Sequence, residues 1–380
     1  MRALGIILAG GNNSRMGALS NKRAIAAMPI AGSYRSIDFT LSNMTNSHIQ
    51  TVAVLSQYNA RSLNEHLNSA KWWNFGRKQG GLFLFTPTVT ADNSWWYRGT
   101  ADAMWQNIDF LKERHEPYVI IANGDCVYKI DFNKVLDYHV QKQANITVVC
   151  AKCPEDDDIT RFGVVKMDPD GRINDFEEKP MVAHSNIVST GVYVIRRRAL
   201  IELLEQCNKE GRYNFVTDIL IRYLGMQKIY GYMLDDYWRN ISSIDAYYRA
   251  NMDFLKPEVQ DHFFKEGETI YSKAMDLAPA KYNEGAKVSG SLISSGCIIN
   301  SQVENSILFK KVFVGSGCVI KNSIILPGAY IGDNVYIENC IVESNETLLS
   351  NTSYVGRDNI MVVAEKNNRY GVRPDWGASK

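Results

Sequence analysis

The chain has 380 residues with 42 Lys+Arg against 41 Asp+Glu, so its charges nearly cancel, and no long block of one sign occurs along it. That balance leaves no electrostatic footprint for a nucleic acid or an anionic membrane surface. A chain of this length exceeds the size at which a single core usually stops growing, so two domains are expected.

The only strongly apolar run near the start, residues 4–9, is shorter than a signal-peptide core and breaks at once into Gly10, Gly11, Asn12 and Asn13. A cytoplasmic location is the expectation. Seven cysteines in so long a chain fit reduced thiols better than a disulfide framework.

Over residues 1–255, short apolar runs alternate with helical patterns. Residues 6–8, 51–55, 118–122 and 146–149 are continuous and rich in β-branched side chains, which points to strands buried on both faces. Residues 101–114 and 198–207 carry apolar side chains at helical spacing. Together they predict an α/β domain, doubly wound around a mostly parallel sheet.

Four places in this domain have the residue types that carry chemistry. Residues 8–16, Leu-Ala-Gly-Gly-Asn-Asn-Ser-Arg-Met, follow the first strand. A Gly-rich turn there exposes backbone N–H groups that can cradle phosphates, with Arg15 as a charged clamp, although such turns also occur without a ligand. Residues 96–102 set Trp96 and Tyr97 beside a Gly-Thr turn, which suits nucleoside stacking or sugar packing as well as a plain core role. Asp125, in Asn123-Gly-Asp125, follows the run 118–122 at the carboxyl end of a strand, where α/β folds bind ligands. It is a candidate to hold a Mg²⁺ that bridges nucleotide phosphates, or else a turn carboxylate. In the run 176–180, Phe-Glu-Glu-Lys-Pro, Lys179 is either a phosphate partner or part of a solvated charge run. Cys150 and Cys153 have the spacing of a redox pair or metal knuckle. They close a β-rich run and lack a second ligand pair, so a structural role is expected.

Residues 256–285 read as a linker, and the texture then changes to Gly, Ser and Asn interleaved with single β-branched residues over 286–380. Ile307, Phe313, Val319, Ile325, Ile331 and Ile337 recur at a step of six, the period of a left-handed parallel β-helix of hexapeptide repeats. The stepped side chain is expected to point into the prism, with Gly315, Gly317, Gly328 and Gly332 at tight corners. A β-sandwich alternates with period two and would not hold a six-residue phase this long.

The segments LAGG..SRM, YRSIDFTLSN, WYRGTADA, NGDCVYKIDF, RFGVV, FEEKP, STGVYVI and YWRNISSIDAYYRANMDF, followed by the hexads, occur in the order seen in bacterial glucose-1-phosphate adenylyltransferases. The chain resembles that family over about residues 3–365. The resemblance implies a nucleotidyltransferase domain like that of other sugar-nucleotide pyrophosphorylases, and a β-helix that serves packing and regulation in a tetramer. It also implies the reaction of ATP with glucose 1-phosphate to give ADP-glucose and pyrophosphate, with Mg²⁺, in glycogen biosynthesis. Carried onto this sequence, Arg15 with Gly10 and Gly11 would meet the ATP phosphates, and Asp125 the metal. Tyr97 and Gly99 would lie on the nucleotide side, Lys179 would pair the sugar phosphate, Ser189 would meet the glucose, and Arg35 matches an arginine linked to effector response.

Four positions depart from the family pattern. Asn13 stands where a glycine is usual, Ile25 where a lysine is usual, Asn240 where a second metal carboxylate is usual, and Asn214 begins Asn-Phe-Val-Thr-Asp where Asp-Phe-Gly-Lys-Asp is usual. Losses concentrated at ligand positions resemble the non-catalytic D-type subunit that works beside a catalytic paralogue. The partners so implied are that paralogue in a homo- or heterotetramer, ATP or ADP-glucose, and glucose 1-phosphate or a sugar-phosphate effector. The alternative is a fully active homotetrameric enzyme, because Arg15, Asp125 and Lys179 remain. An exchange subunit of an initiation factor shares the two-domain plan, but the WYRGTADA and YKIDF segments favour the adenylyltransferase. An acyltransferase of the hexapeptide class is excluded because residues 285–380 contain no histidine to act as a base.

Overall fold

The structure, a computed structural model, describes residues 2–11, 14–76, 80–89 and 96–364. The chain divides into two compact units. The first comprises Met1–Met28, Arg35–Ala246 and His262–Lys273; the second comprises Pro29–Tyr34, Tyr247–Asp261 and the chain from Ala274 onward.

The first unit is built on a nine-stranded sheet of β1 (Ala3–Leu8), β2 (Thr51–Leu55), β3 (Gly81–Phe85), β4 (Tyr118–Asn123), β5 (Ile146–Lys152), β6 (Gly163–Met167), β7 (Ile173–Glu178), β8 (Ile187–Arg196) and β9 (Ile229–Met233). The order is β7-β6-β8-β4-β1-β2-β3, with β5 pairing both β8 and β9. Strands β1 to β4 pair in parallel, β8 enters antiparallel to β4, and β7 is antiparallel to β6, so seven strands share one direction. Successive side chains serve opposite faces. Leu4 and Ile6 of β1 join a core with Leu111, Leu200 and Leu204, whereas Ile7 joins a second core with Ile37, Leu41 and Phe132. Burial on both faces is why these runs are continuously apolar rather than alternating.

The helix Phe132–Gln141 starts at Asp131, whose Oδ1 accepts from the Asn133 amide at 2.9 Å. It buries Phe132, Val135, Leu136 and His139. His139 Nδ1 lies 2.8 Å from Thr147 Oγ1, and its Nε2 has no partner among the described residues. Burial lowers the imidazole pKa to about 4, helped by the Arg196 charge. The folded state therefore binds this proton less well than the unfolded chain, whose histidine titrates near 6.5. Stability present above that value is expected to fall by on the order of 2–3 kcal/mol as the pH drops from about 6.5 to about 4. Melting curves of wild type and His139→Gln across that window check this. The wild-type midpoint should decline more steeply than the variant's, and parallel declines would rule out His139 as the cause.

In the second unit, three five-stranded parallel sheets wrap residues 281–363 into the expected β-helix. Cα partners on successive coils are 17 residues apart along most of its length, as in Phe313, Tyr330 and Thr347. Seventeen is six plus six plus five, so a strict step of six must slip once per coil. The inward row is Leu308, Val314, Ile320, Ile325, Ile331 and Ile337. This corrects the expected phase: Ile325, Ile331 and Ile337 point inward, whereas Ile307, Phe313 and Val319 each lie one residue before the inward position. The slip falls at the corner of Asn322, where left-handed backbone (φ 44°) turns the chain in one residue fewer.

The corners also differ from expectation. Gly317 and Gly328 are left-handed (φ 69° and 74°), but Gly315 and Gly332 are not. Asparagines take other corners: Asn305, Asn322 and Asn339 stack one per coil at positive φ, and Asn305 Nδ2 donates to Asn322 Oδ1 at 2.6 Å. Residues from earlier in the chain complete this unit. Tyr247 Oη donates to the Pro29 carbonyl at 2.6 Å, and Tyr248 Oη donates to that of Asn322 at 2.7 Å. No helix among the described residues is long and apolar enough to cross a membrane.

Candidate active site

Parallel strands present their carboxyl ends at one edge of the sheet, and the loops leaving β1, β2 and β4 meet there. The Ala9 amide donates to the Leu55 carbonyl at 2.8 Å, and the Gly124 amide to that of Leu8 at 3.0 Å. Around this edge the first unit forms a cavity of about 730 Å³. It is lined by Gly10, Gly11, Arg15, Ile25, Tyr97, Gly99, Asp125, Lys179, Ser189, Asn214 and Asn240. Residues far apart in sequence, each singled out from sequence, thus share one cavity. Asn13 lies outside the described residues. Arg35 does not line the cavity; it opens the helix Ser36–Asn46, its amide donating to Asp38 Oδ2 at 2.8 Å and its guanidinium to the Ala27 carbonyl.

The loop from Trp96 to Gly99 is held by the side chain of Gln57. Its Oε1 accepts from the Tyr97 amide at 2.6 Å, and its Nε2 donates to the Tyr97 carbonyl at 3.3 Å. Tyr97 is half-buried, its hydroxyl accepting from Asn107 Nδ2 at 3.0 Å; burial raises the phenol pKa against the pull of that bond. Trp96 is 63% exposed and stacks on Tyr58, a cavity residue, with ring centroids 6.2 Å apart. The pair is therefore an aromatic surface rather than core. A Cβ on Gly99 would sit 2.3 Å from the Tyr213 carbonyl oxygen, which the Ala101 and Asp102 amides engage at 2.8 and 3.1 Å. Only glycine fits there. Arg98 lies over the Tyr213 ring at 3.9 Å and pairs with Asp102 at 2.7 Å.

Asp125 is half-buried, and burial raises its carboxyl pKa, opposed by hydrogen bonding from Asn240 and by the Arg161 charge. Position 240 decides what this carboxylate can do. Asn240 Oδ1 accepts from Arg161 Nη2 at 2.9 Å, from the Ser242 amide at 2.9 Å and from the Ser242 hydroxyl. Its Nδ2 is turned toward the Asp125 carbonyl oxygen at 3.3 Å and Cys126 Sγ at 3.5 Å. A guanidinium and a backbone amide only donate, so they fix which end of the carboxamide faces them. Asn240 therefore shows an N–H group, not an oxygen, on the Asp125 side. A metal held between two carboxylates does not fit these residues, and among the described residues no group of three acidic, His or Cys side chains gathers to hold one. Arg161 is itself buried and pairs through Nη1 with Asp157 Oδ1 at 2.6 Å.

Lys179 holds left-handed backbone (φ 52°), uncommon for a side chain of its size and a strain found at ligand sites. Its exposed Nζ is 3.6 Å from Glu178 Oε1. Burial raises the Glu178 carboxyl pKa, and Lys179 opposes that shift. Ser189 is buried, with its hydroxyl 3.2 Å from that of Tyr193. Ile25 is a buried apolar wall in the short turn Ile25–Ala27. Asn214 Oδ1 accepts from the Val216 and Thr217 amides at 2.9 and 3.4 Å, the work of a capping side chain at the helical turn Val216–Ile221. An aspartate would cap the same amides, so the cap does not account for the departure from the family pattern. Cys150 is inside β5, and burial pushes its thiol up to about 12 and that of Cys153 to about 11, which makes both poor nucleophiles.

Sequence reasoning missed Gln57 and Arg161. Gln57 sits two residues past the run 51–55, at the same sheet edge as Asp125, and that position was its available signal. Arg161 opens the RFGVV segment that carries the resemblance, but its role at the site rests on a partner 79 residues away, which no segment shows.

Residues 4–257 match the Nucleotidyl transferase family and residues 277–371 match the family described as GlmU-like, C-terminal hexapeptide. The glucose-1-phosphate adenylyltransferase of Thermosipho africanus is 38% identical over 320 residues, spanning 83% of this chain and 77% of that protein. The enzymes of the same name from Desulfitobacterium hafniense strain Y51 and Clostridium beijerinckii are 38% and 39% identical over 321 residues each. Those matches span 84% and 83% of this chain, and 80% and 82% of those proteins. With both domains matched and this identity sustained across most of each protein, the chain belongs to the glucose-1-phosphate adenylyltransferase family.

Proposed function

We propose that the chain is a weakly active or inactive regulatory subunit of a glucose-1-phosphate adenylyltransferase, one that keeps the ligand cleft and modulates a catalytic paralogue within a tetramer of the glycogen pathway. The observation that carries this reading is the carboxamide of Asn240, turned by Arg161 so that an N–H faces Asp125. The residues that remain suit binding more than turnover. The amides of Gly10 and Gly11 with Arg15 offer donors to a diphosphate, and Lys179 offers a cation to a sugar phosphate. Tyr58, Trp96 and Tyr97 offer ring surfaces to a nucleoside. Ile25 offers no charge where a phosphate would need one. The ligands are ATP or ADP-glucose together with glucose 1-phosphate or a sugar-phosphate effector.

A subunit of this kind acts through a coupling free energy of about 1–3 kcal/mol, or roughly 5–150-fold in affinity. Mixing the purified chain with its catalytic paralogue tests this directly. The expected result is a heavier mixed assembly whose activity or effector response differs from the paralogue's own. Unchanged mass with unchanged kinetics refutes the proposal. The second reading, a fully active homotetramer, is favoured by one observation, that Arg15, Asp125 and Lys179 line the same cavity.

A further inference from the structure

We propose that this cleft binds its nucleotide-sugar diphosphate without a divalent cation, Arg161 and the N–H face of Asn240 standing where a metal would otherwise balance the phosphates. The inference rests on the reading of the cleft as an ADP-glucose site.

Three observations lead to it. The first is that the orientation of Asn240 cannot be reversed. Arg161 Nη2 and the Ser242 amide both donate to Oδ1, so a rotated carboxamide would set N–H against N–H on one side and oxygen against the Asp125 carbonyl on the other. The second is the charge of the lining: Arg15, Arg98, Arg161 and Lys179 against Asp125 and Glu178. Asp102 pairs with Arg98 and Asp157 with Arg161, so the charges balance overall, but in both pairs it is the cation that lines the cavity. The third is that Arg161 is buried at 8% exposure, in a closely packed position where its charge is little screened. Asp157 balances one end of the guanidinium, and the other end is aimed at Asn240 and Ser242, both cavity residues. A divalent ion placed beside Asp125 would have one carboxylate in reach and would face the positive end of an amide dipole. Mg²⁺ can be held by one carboxylate together with substrate phosphates and waters, so it is the amide N–H turned to that side, rather than the number of carboxylates, that weighs against the ion. The arrangement disfavours the metal and favours the bare anion.

The experiment is a calorimetric titration of the full-length chain with ADP-glucose, once in chelator and once in saturating Mg²⁺. The expected result is the same dissociation constant in both, within about threefold. Binding tightened about tenfold or more by Mg²⁺, or no binding in either buffer, overturns the inference. Arg161→Gln combined with Asp157→Asn removes the cation without stranding a buried carboxylate. It should weaken binding in chelator by about tenfold or more, as expected for loss of a charge-assisted contact. Asn240→Asp, which leaves Arg161 in place, should likewise weaken binding in chelator and make it respond to Mg²⁺. Either variant binding like wild type in chelator overturns the assigned role. Normal turnover by the wild-type chain would sink the regulatory reading, whereas Mg²⁺-dependent binding by an inactive chain sinks only this inference.

Discussion

Given ATP, glucose 1-phosphate and saturating Mg²⁺, the chain alone is expected to release pyrophosphate about 10²–10³-fold more slowly than a catalytically complete relative. Two positions account for the deficit. Asn240 removes a negative oxygen from the Asp125 side of the cleft and replaces it with a donor held by Arg161 at 2.9 Å. Ile25 removes a point charge from the cavity wall. Phosphoryl and nucleotidyl transfer depend on charges fixed around the reacting phosphates. If each loss costs about 2 kcal/mol of transition-state stabilisation, the pair yields the stated factor. The measurement is pyrophosphate release by the purified chain. A turnover in the ordinary enzymatic range of about 1–10³ s⁻¹ would exclude the regulatory assignment and leave the active homotetramer.

The sheet was legible because runs such as 118–122 are buried on both faces, and nothing but a buried strand or helix tolerates them. Direction was not. β8 is as thoroughly buried as β4, yet it runs antiparallel to it, since burial on both faces does not depend on which way a strand points. The hexads showed the β-helix but misplaced its inward row by one residue over 307–319. The missing residue is lost at a corner, and a corner asparagine looks like any other asparagine in sequence. In the cleft, single residues were legible where chemistry selects a type, as with Asp125 at a strand end or Lys179 before a proline. Relations between residues were not. That Asn240 is turned by Arg161 and that Asn214 caps a helical turn depend on contacts which only the folded chain creates.

Asn240→Asp together with Ile25→Lys is expected to raise turnover by at least about tenfold, with each single change giving less. The new carboxylate would first pair with Arg161, which stays in place, and its other oxygen would then face the Asp125 carbonyl where Nδ2 now donates at 3.3 Å. Without a cation between them those oxygens repel. The single Asn240→Asp variant should therefore melt lower in chelator and regain about 1–2 kcal/mol when Mg²⁺ is added, since a ligand that binds only the folded state stabilises it. A lysine at 25 starts from a buried wall, so its stem must run along the apolar lining before the ammonium reaches the cavity. There it would bear on the same phosphates as the carboxylate pair, and charges that share one cluster couple rather than add. Asn13→Gly is the control for backbone approach in the first loop. Should the double variant fold and assemble as wild type does, yet gain nothing even with that third change, the lost charges are not sufficient. The capped turn from Asn214 to Asp218 would then be the place to look, because Asn214 also lines the cavity and its side chain is committed to the helix start.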